Sequence, residues 1–172
     1  LDFGCGDGVF ALNLMKNKNC KKVIASDFFS NPPKNLDSEN IYYSNKSIFK
    51  NFKKKFDFIF IRHVLEHVKR PVEFVDHLST LLTEGGKIIV EVPNYESIWR
   101  KIFLNNYSLL GINGREGPVH IWHFTENTIK NLYNNNYILK FESAHIPVLG
   151  TSIMNKIFGE KKNYDFSIFN NL

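Results

Sequence analysis

Cysteine is nearly missing: only Cys5 and Cys20 occur in 172 residues, with no C-x-x-C pair and no metal-type spacing. That excludes a disulfide scaffold and a cysteine zinc module, and it sets the expectation of a reduced, cytoplasmic setting. Long apolar runs are missing too. The longest, over residues 56–61, is strand-sized and far short of the ~20 residues a membrane-spanning helix needs. Arginine is scarce, four residues among the 22 basic ones, so the net charge of +5 comes from lysine. Lysine is enriched together with Asn, Ile, Phe and Tyr, which marks A+T-rich coding sequence rather than a selected basic face. Nucleic acid is therefore not expected as a partner, and the cluster Lys50, Lys53, Lys54 and Lys55 reads as a solvated loop. There is no internal repeat or low-complexity linker, so residues 1–172 are expected to form a single domain, large enough to bury a core without staples. The chain opens on strand-like residues without a Met, and the natural protein is expected to begin earlier, leaving this domain N-terminally truncated.

What is present starts at once. In Leu1-Asp2-Phe3-Gly4-Cys5-Gly6-Asp7-Gly8 an apolar strand end meets three glycines at alternate positions, and helix formers follow over residues 9–17. Such glycines tolerate positive φ and let a ligand approach bare main chain, beside the free N–H groups of a helix start. A dinucleotide site wants G-x-G-x-x-G, but the third glycine position is Val9. A cofactor cradle of another kind and a plain α/β turn both remain open at this point. A short strand over residues 23–26 ends in Asp27, 19 positions after Gly8. That matches the spacing of about 20 residues to a carboxylate that accepts ribose hydroxyls, although Asp27 also suits an N-cap. Phe28 is placed to lie against an adenine face.

Strands are predicted over 41–43, 56–61 and 87–92, and a helix over 71–82 with Pro71 in its first turn and Gly85-Gly86 beyond its end. Strand–helix alternation of this kind predicts an α/β fold with a doubly wound, mostly parallel sheet, whose ligands bind beyond the carboxyl ends of the strands. His63-Val64-Leu65-Glu66-His67 also matches H-x-x-E-H, so a zinc-dependent hydrolase through His63, Glu66 and His67 is a remote alternative. Its place right after a parallel strand, rather than inside a long helix, argues against it, and no metal is expected. Asn31-Pro32-Pro33 reads as a proline-set turn.

In combination these motifs resemble class I S-adenosylmethionine-dependent methyltransferases. The glycine turn, Asp57, His63-Val-Leu-Glu66-His67-Val, Pro71, Gly85-Gly86 and Val92-Pro93-Asn94 fall in the order seen in the branch with quinone and sugar O-methyltransferases. The resemblance covers roughly residues 1–145 and implies a Rossmann-like fold. It also implies S-adenosyl-L-methionine as cofactor, held by Asp2, Gly4, Cys5, Gly6, Gly8, Asp27, Phe28, Asn45, Arg62 and His63. Asn45 stands where the family commonly places an acid or amide on the adenine amino group. A small-molecule hydroxyl acceptor is implied, with RNA or protein methylation as the alternative. A hydroxyl acceptor profits from a base, and His63, His67, His120 and His123 are the candidates. Residues 95–124 carry Tyr95, Trp99, Phe103, Tyr107, Trp122 and Phe124 with Gly111, Gly114 and Gly117 between them. They read either as an amphipathic helix and loop on the core or as a substrate lid. Arg100 and Lys101 beside an apolar face also suit peripheral membrane contact. Thr125 is a candidate N-cap, a late strand is expected over 137–146, and the tail over 147–172 carries no clear pattern.

Overall fold

The computed structural model describes residues 1–34, 36, 40–44, 56–96, 120–133 and 137–140. All but Lys140 fall in one compact unit, Leu1–Ile102 with Pro118–Leu139; a second, Phe103–Gly117 with Lys140–Leu172, lies otherwise outside the described residues. Asn45, the lysine cluster, residues 97–119 of the expected lid, residues 141–146 and the tail also lie outside them.

Five strands form one wholly parallel sheet: β1 (Asp2–Phe3), β2 (Val23–Ser26), β3 (Ile41–Ser44), β4 (Phe56–Arg62) and β5 (Leu82–Glu91), in the order β3-β2-β1-β4-β5. Helix α1 (Val9–Met15) follows β1, α2 (Pro71–Ser79) precedes β5, and α3 (Glu126–Tyr133) comes late. Successive side chains of a strand leave opposite faces, and a parallel sheet covered on both faces needs apolar residues at both parities. Val23 and Ala25 accordingly pack with Cys5, Ala11 and Ile41 on one face. Ile24, Ile59 and Ile61 pack with Val75, Leu78, Phe124 and Tyr133 on the other. The doubly wound α/β fold expected of the sequence is the observed one. Among the described residues no helix is long and apolar enough to cross a membrane.

Some boundaries differ. Helix α1 stops at Met15 rather than residue 17. Helix α2 ends at Ser79, not residue 82, and β5 begins at Leu82 and runs through the two glycines. The cause is local: the Ser79 and Thr80 hydroxyls donate to the carbonyls of Asp76 and His77 and close the last turn. The β4–β5 ladder then slips between Phe56 and Phe58, with Gly85 at φ 74° absorbing the irregularity. Thr125 does cap α3: its hydroxyl accepts the Thr128 N–H at 3.2 Å, and Thr128 Oγ1 accepts the Thr125 N–H at 2.7 Å. Residues 137–140 are not strand.

Candidate cofactor and acceptor site

Strand order reverses beside β1, since β2 and β3 extend to one side and β4 and β5 to the other. The crevice above that point is where open parallel sheets take ligands. The glycine turn lies there. Gly4, Gly6 and Gly8 all have positive φ, at 77°, 53° and 79°. Two of them are glycine for packing as well. A Cβ on Gly4 would stand 2.2 Å from Val64 Cγ2, and one on Gly8 2.6 Å from Leu36 Cδ2. Gly6 differs: nothing lies within 4 Å of its Cβ position, so its main chain faces open space.

The Gly4 and Cys5 N–H groups donate to the Ser26 carbonyl at 2.8 and 3.0 Å, which ties the turn to the end of β2. Asp27 follows directly. Its Oδ2 accepts the Gly6 N–H at 2.8 Å and its Oδ1 the Phe28 N–H at 2.7 Å. The spacing of 19 residues thus closes into contact, and the carboxylate is oriented by main chain while keeping further lone pairs free. Phe28 leaves its ring 88% exposed beside this carboxylate, so it is available to stack on a ligand.

Asp2 and Cys5 sit deeper. Asp2 is buried in β1 between Ala25 and Phe60, its Oδ2 without a hydrogen-bond partner. Burial pushes its pKa up to about 6, partly opposed by Arg62. Cys5 is buried with its thiol pushed up to about 12, so it is a neutral packing group that lends only its main chain. An acid with a raised native pKa binds more protons folded than unfolded between about pH 4 and 6. Stability therefore falls as pH rises through that window and is flat above it, by about 3 kcal/mol in all. Asp2→Asn is expected to raise stability by about 1–3 kcal/mol at pH 7.5, with a gain that shrinks toward pH 4. Urea unfolding at both pH values checks this, and an equal effect at each would refute the buried-charge assignment.

At the end of β4, Arg62 and His63 join a charged network. Arg62 Nε donates to Glu91 Oε2 at 2.6 Å, and its guanidinium lies over the Phe10 ring at 4.2 Å. His63 holds a left-handed backbone at φ 51°, with Nε2 3.4 Å from Glu91 and Nδ1 3.5 Å from Glu66. Those two carboxylates raise the His63 pKa to about 9, and His63 with Arg62 holds Glu91 down to about 2. Residues Leu65–His67 form one 3-10 turn, and His63 lies before it. His63 and His67 are therefore not on one helix at i and i+4, and the geometry of the H-x-x-E-H zinc signature is not formed.

The other three candidate histidines, His67, His120 and His123, make ring contacts in this region. His67 and His120 meet edge to face at 4.8 Å between centroids, and His123 stacks on Tyr95 at 4.0 Å. Tyr95 Oη is 3.3 Å from His120 Nδ1, and burial lowers the His120 pKa. A hollow of about 200 Å³ is lined by Trp122, His123, Phe124, Thr128, Asn131 and Leu132. Sequence reasoning missed Glu91 and gave Tyr95 no role beyond an aromatic in the lid. The one signal for Glu91 was its place at the carboxyl end of a parallel strand, where polar side chains collect.

A crevice of this build, bare glycine main chain facing a carboxylate at the end of the next strand, defines a nucleoside-binding α/β domain. A family model described as methyltransferase domain matches residues 1–136, and the chain belongs to that family. The mitochondrial ubiquinone biosynthesis O-methyltransferase of Dictyostelium discoideum is 27% identical over 111 residues, 55% of this chain and 35% of that protein. The chain thus spans about a third of the length of that curated relative. Among solved structures, the YcgJ protein of Bacillus subtilis has a TM-score of 0.56 at 18% identity, covering 78% of this chain and 59% of its own. The plantazolicin methyltransferase BpumL, solved with a desmethyl-plantazolicin analogue and S-adenosylhomocysteine, has a TM-score of 0.58 at 18% identity, covering 78% and 53%. The fold is shared with both solved structures. The resemblance to class I methyltransferases of the quinone O-methyltransferase branch agrees with the family match and the curated relative.

Proposed function

We propose that this chain binds S-adenosylmethionine and transfers its methyl group to a hydroxyl of a small-molecule acceptor, a sugar, quinone or similar metabolite. The observation that carries the reading is the Gly6–Asp27 contact: the open glycine and the ribose-type carboxylate form one cradle at the switch point. The residues present fit the cofactor. Gly6 offers main chain unshielded by any Cβ neighbour, Asp27 offers acceptor lone pairs for ribose hydroxyls, and Phe28 offers an exposed ring for adenine. Arg62 is engaged by Glu91 and Phe10, so it contributes by holding the end of β4. Reading residues 1–172 as one methyltransferase domain belongs to the same proposal. The family match over 1–136 supports it. A reducing compartment, the cytoplasm in the simplest case, suits free Cys5 and Cys20.

When bound, the cofactor supplies an activated methyl, whose carbon bonds to the acceptor oxygen as the carbon–sulfur bond breaks and sulfur keeps the electron pair. The chain must orient the acceptor behind that carbon, exclude water and take the hydroxyl proton. His63 is a poor base, because Glu66 and Glu91 hold its proton up to about pH 9. His67 and His120 face each other and Glu66. His123, held by Tyr95 and lining the apolar hollow, is the base this arrangement favours. His123→Ala is expected to leave cofactor affinity intact and slow turnover roughly a hundredfold. Methyl transfer from labelled cofactor to a panel of catechols, hydroxyquinones and sugars tests both statements. Transfer to RNA or protein alone would move the reading to the alternative acceptor class.

A further inference from the structure

We infer that Glu91 is a positioning residue for the cofactor cradle: from the end of β5 it holds His63 in a left-handed backbone, and that backbone seats Val64 against Gly4. The role rests on the proposed S-adenosylmethionine reading, and it needs no contact between Glu91 and the ligand.

Among the described residues, His63 alone has positive φ without being glycine, at 51°. A non-glycine residue disfavours that region by about tenfold, ~1.4 kcal/mol, and stays there when its surroundings over-determine it. Glu91 gives both main chain and side chain to the task. It stands beside Arg62 across the β4–β5 ladder, and its carbonyl accepts the His63 N–H at 2.9 Å. Its carboxylate serves two cations: Oε2 accepts from Arg62 Nε at 2.6 Å, and Oε1 stands 3.4 Å from His63 Nε2. Glu66 faces the other ring nitrogen, 3.5 Å from Nδ1. Charges thus alternate along Arg62, Glu91, His63 and Glu66. The two central groups are ionised at neutral pH, since Glu66 and Glu91 raise His63 to about 9, while His63 and Arg62 hold Glu91 down to about 2.

The consequence lies one residue further on. Val64 Cγ2 stands 2.2 Å from the place a Cβ on Gly4 would take, so this methyl fills the space over the first glycine of the turn. Gly4 and Cys5 in turn donate to the Ser26 carbonyl, next to the Asp27 that accepts from Gly6. A change of φ at position 63 redirects the chain after it and withdraws Val64 from Gly4. Glu91 is thereby coupled to the cradle through His63 and Val64.

Population sets the size of the effect. Apparent affinity scales with the fraction of chains whose binding turn is formed. Without the clamp, position 63 returns to its ordinary backbone preference and that fraction falls toward about a tenth. Glycine is the exception, because it takes positive and negative φ about equally. A glycine at position 63 therefore needs no clamp, and the contribution of Glu91 should vanish with it.

The test is calorimetric titration of S-adenosylhomocysteine into the wild type and its variants, with thermal melts on each to separate lost folding from lost binding. Glu91→Gln keeps the shape and the main-chain bond but removes the charge, and should weaken binding about threefold to tenfold. His63→Ala removes the clamped side chain and keeps the steric penalty, so it should lose about tenfold. His63→Gly removes the same side chain without that penalty and should stay within about threefold of the wild type. On the His63→Gly background, Glu91→Gln should matter by less than about twofold. Equal losses in His63→Ala and His63→Gly, or an undiminished effect of Glu91→Gln on the glycine background, would overturn the proposal. Amide hydrogen exchange of Gly4 in the ligand-free proteins reads the same coupling without cofactor. It should quicken in Glu91→Gln and His63→Ala and recover in His63→Gly. A wild type that binds no S-adenosylhomocysteine refutes the cofactor reading alone, whereas unchanged exchange at Gly4 refutes the positioning by Glu91 alone.

Discussion

Asp27→Ala is expected to weaken S-adenosylmethionine binding by a factor of about a hundred or more while leaving the chain folded. Hydrogen bonds to a charged group contribute about 1.5–3 kcal/mol each, and a carboxylate gripping two ribose hydroxyls therefore contributes roughly two to four powers of ten in affinity. The substitution also frees the N–H groups of Gly6 and Phe28, which Asp27 now holds at 2.8 and 2.7 Å. Both lie at the exposed rim, where water replaces the lost acceptor, so the loss of stability should stay near 1 kcal/mol. Asp27→Asn keeps the shape, removes the charge and should fall between. Calorimetry of the three proteins, with thermal melts alongside, separates the effects. Wild-type affinity in Asp27→Ala would refute the ribose assignment outright.

The glycines of the turn are expected to divide into two kinds. Gly4→Ala places a Cβ 2.2 Å from Val64 Cγ2 on a backbone at φ 77°. Overpacking costs about 1–3 kcal/mol and the left-handed backbone about 1–2 more, against a total stability of about 5–15. A drop in melting temperature on the order of 10 °C follows. Gly6→Ala meets no protein atom within 4 Å, so only the backbone term of about 1 kcal/mol applies. Its methyl instead projects into the open space given to the ligand. Gly4→Ala should thus lose mainly stability and Gly6→Ala mainly affinity. Gly6→Ala binding as tightly as the parent would show that the ligand does not rest on this main chain.

The parts of the site that were legible in the sequence are those set by the main chain and by local spacing. Positive φ at alternate positions requires glycine, so Gly4, Gly6 and Gly8 announce a turn whatever surrounds them. Asp27 follows because a helix and a loop of fixed span return the chain beside its own first strand. The end of α2 was not legible, since it is decided by which carbonyls the Ser79 and Thr80 hydroxyls reach. The Glu66–His67–His120 cluster was hidden for a similar reason. His120 lies more than fifty residues from Glu66 and His67, and the Glu66 and Val68 carbonyls, accepting from Ile121 and Trp122, bring it back beside them. The H-x-x-E-H spacing named Glu66 and His67 but gives no sign of His120. Glu91 and Tyr95 are ordinary residues locally; Glu91 gains a role only when β5 is laid beside β4, and Tyr95 only when the chain returns with His120 and His123.

The most direct measurement is a crystal structure of the chain with S-adenosylhomocysteine. The ribose hydroxyls should lie within hydrogen-bond distance of Asp27, the adenine against Phe28, and the amino-acid end along Gly4 to Gly8. A ligand bound elsewhere, or a crevice that stays empty at saturating ligand, would contradict the account.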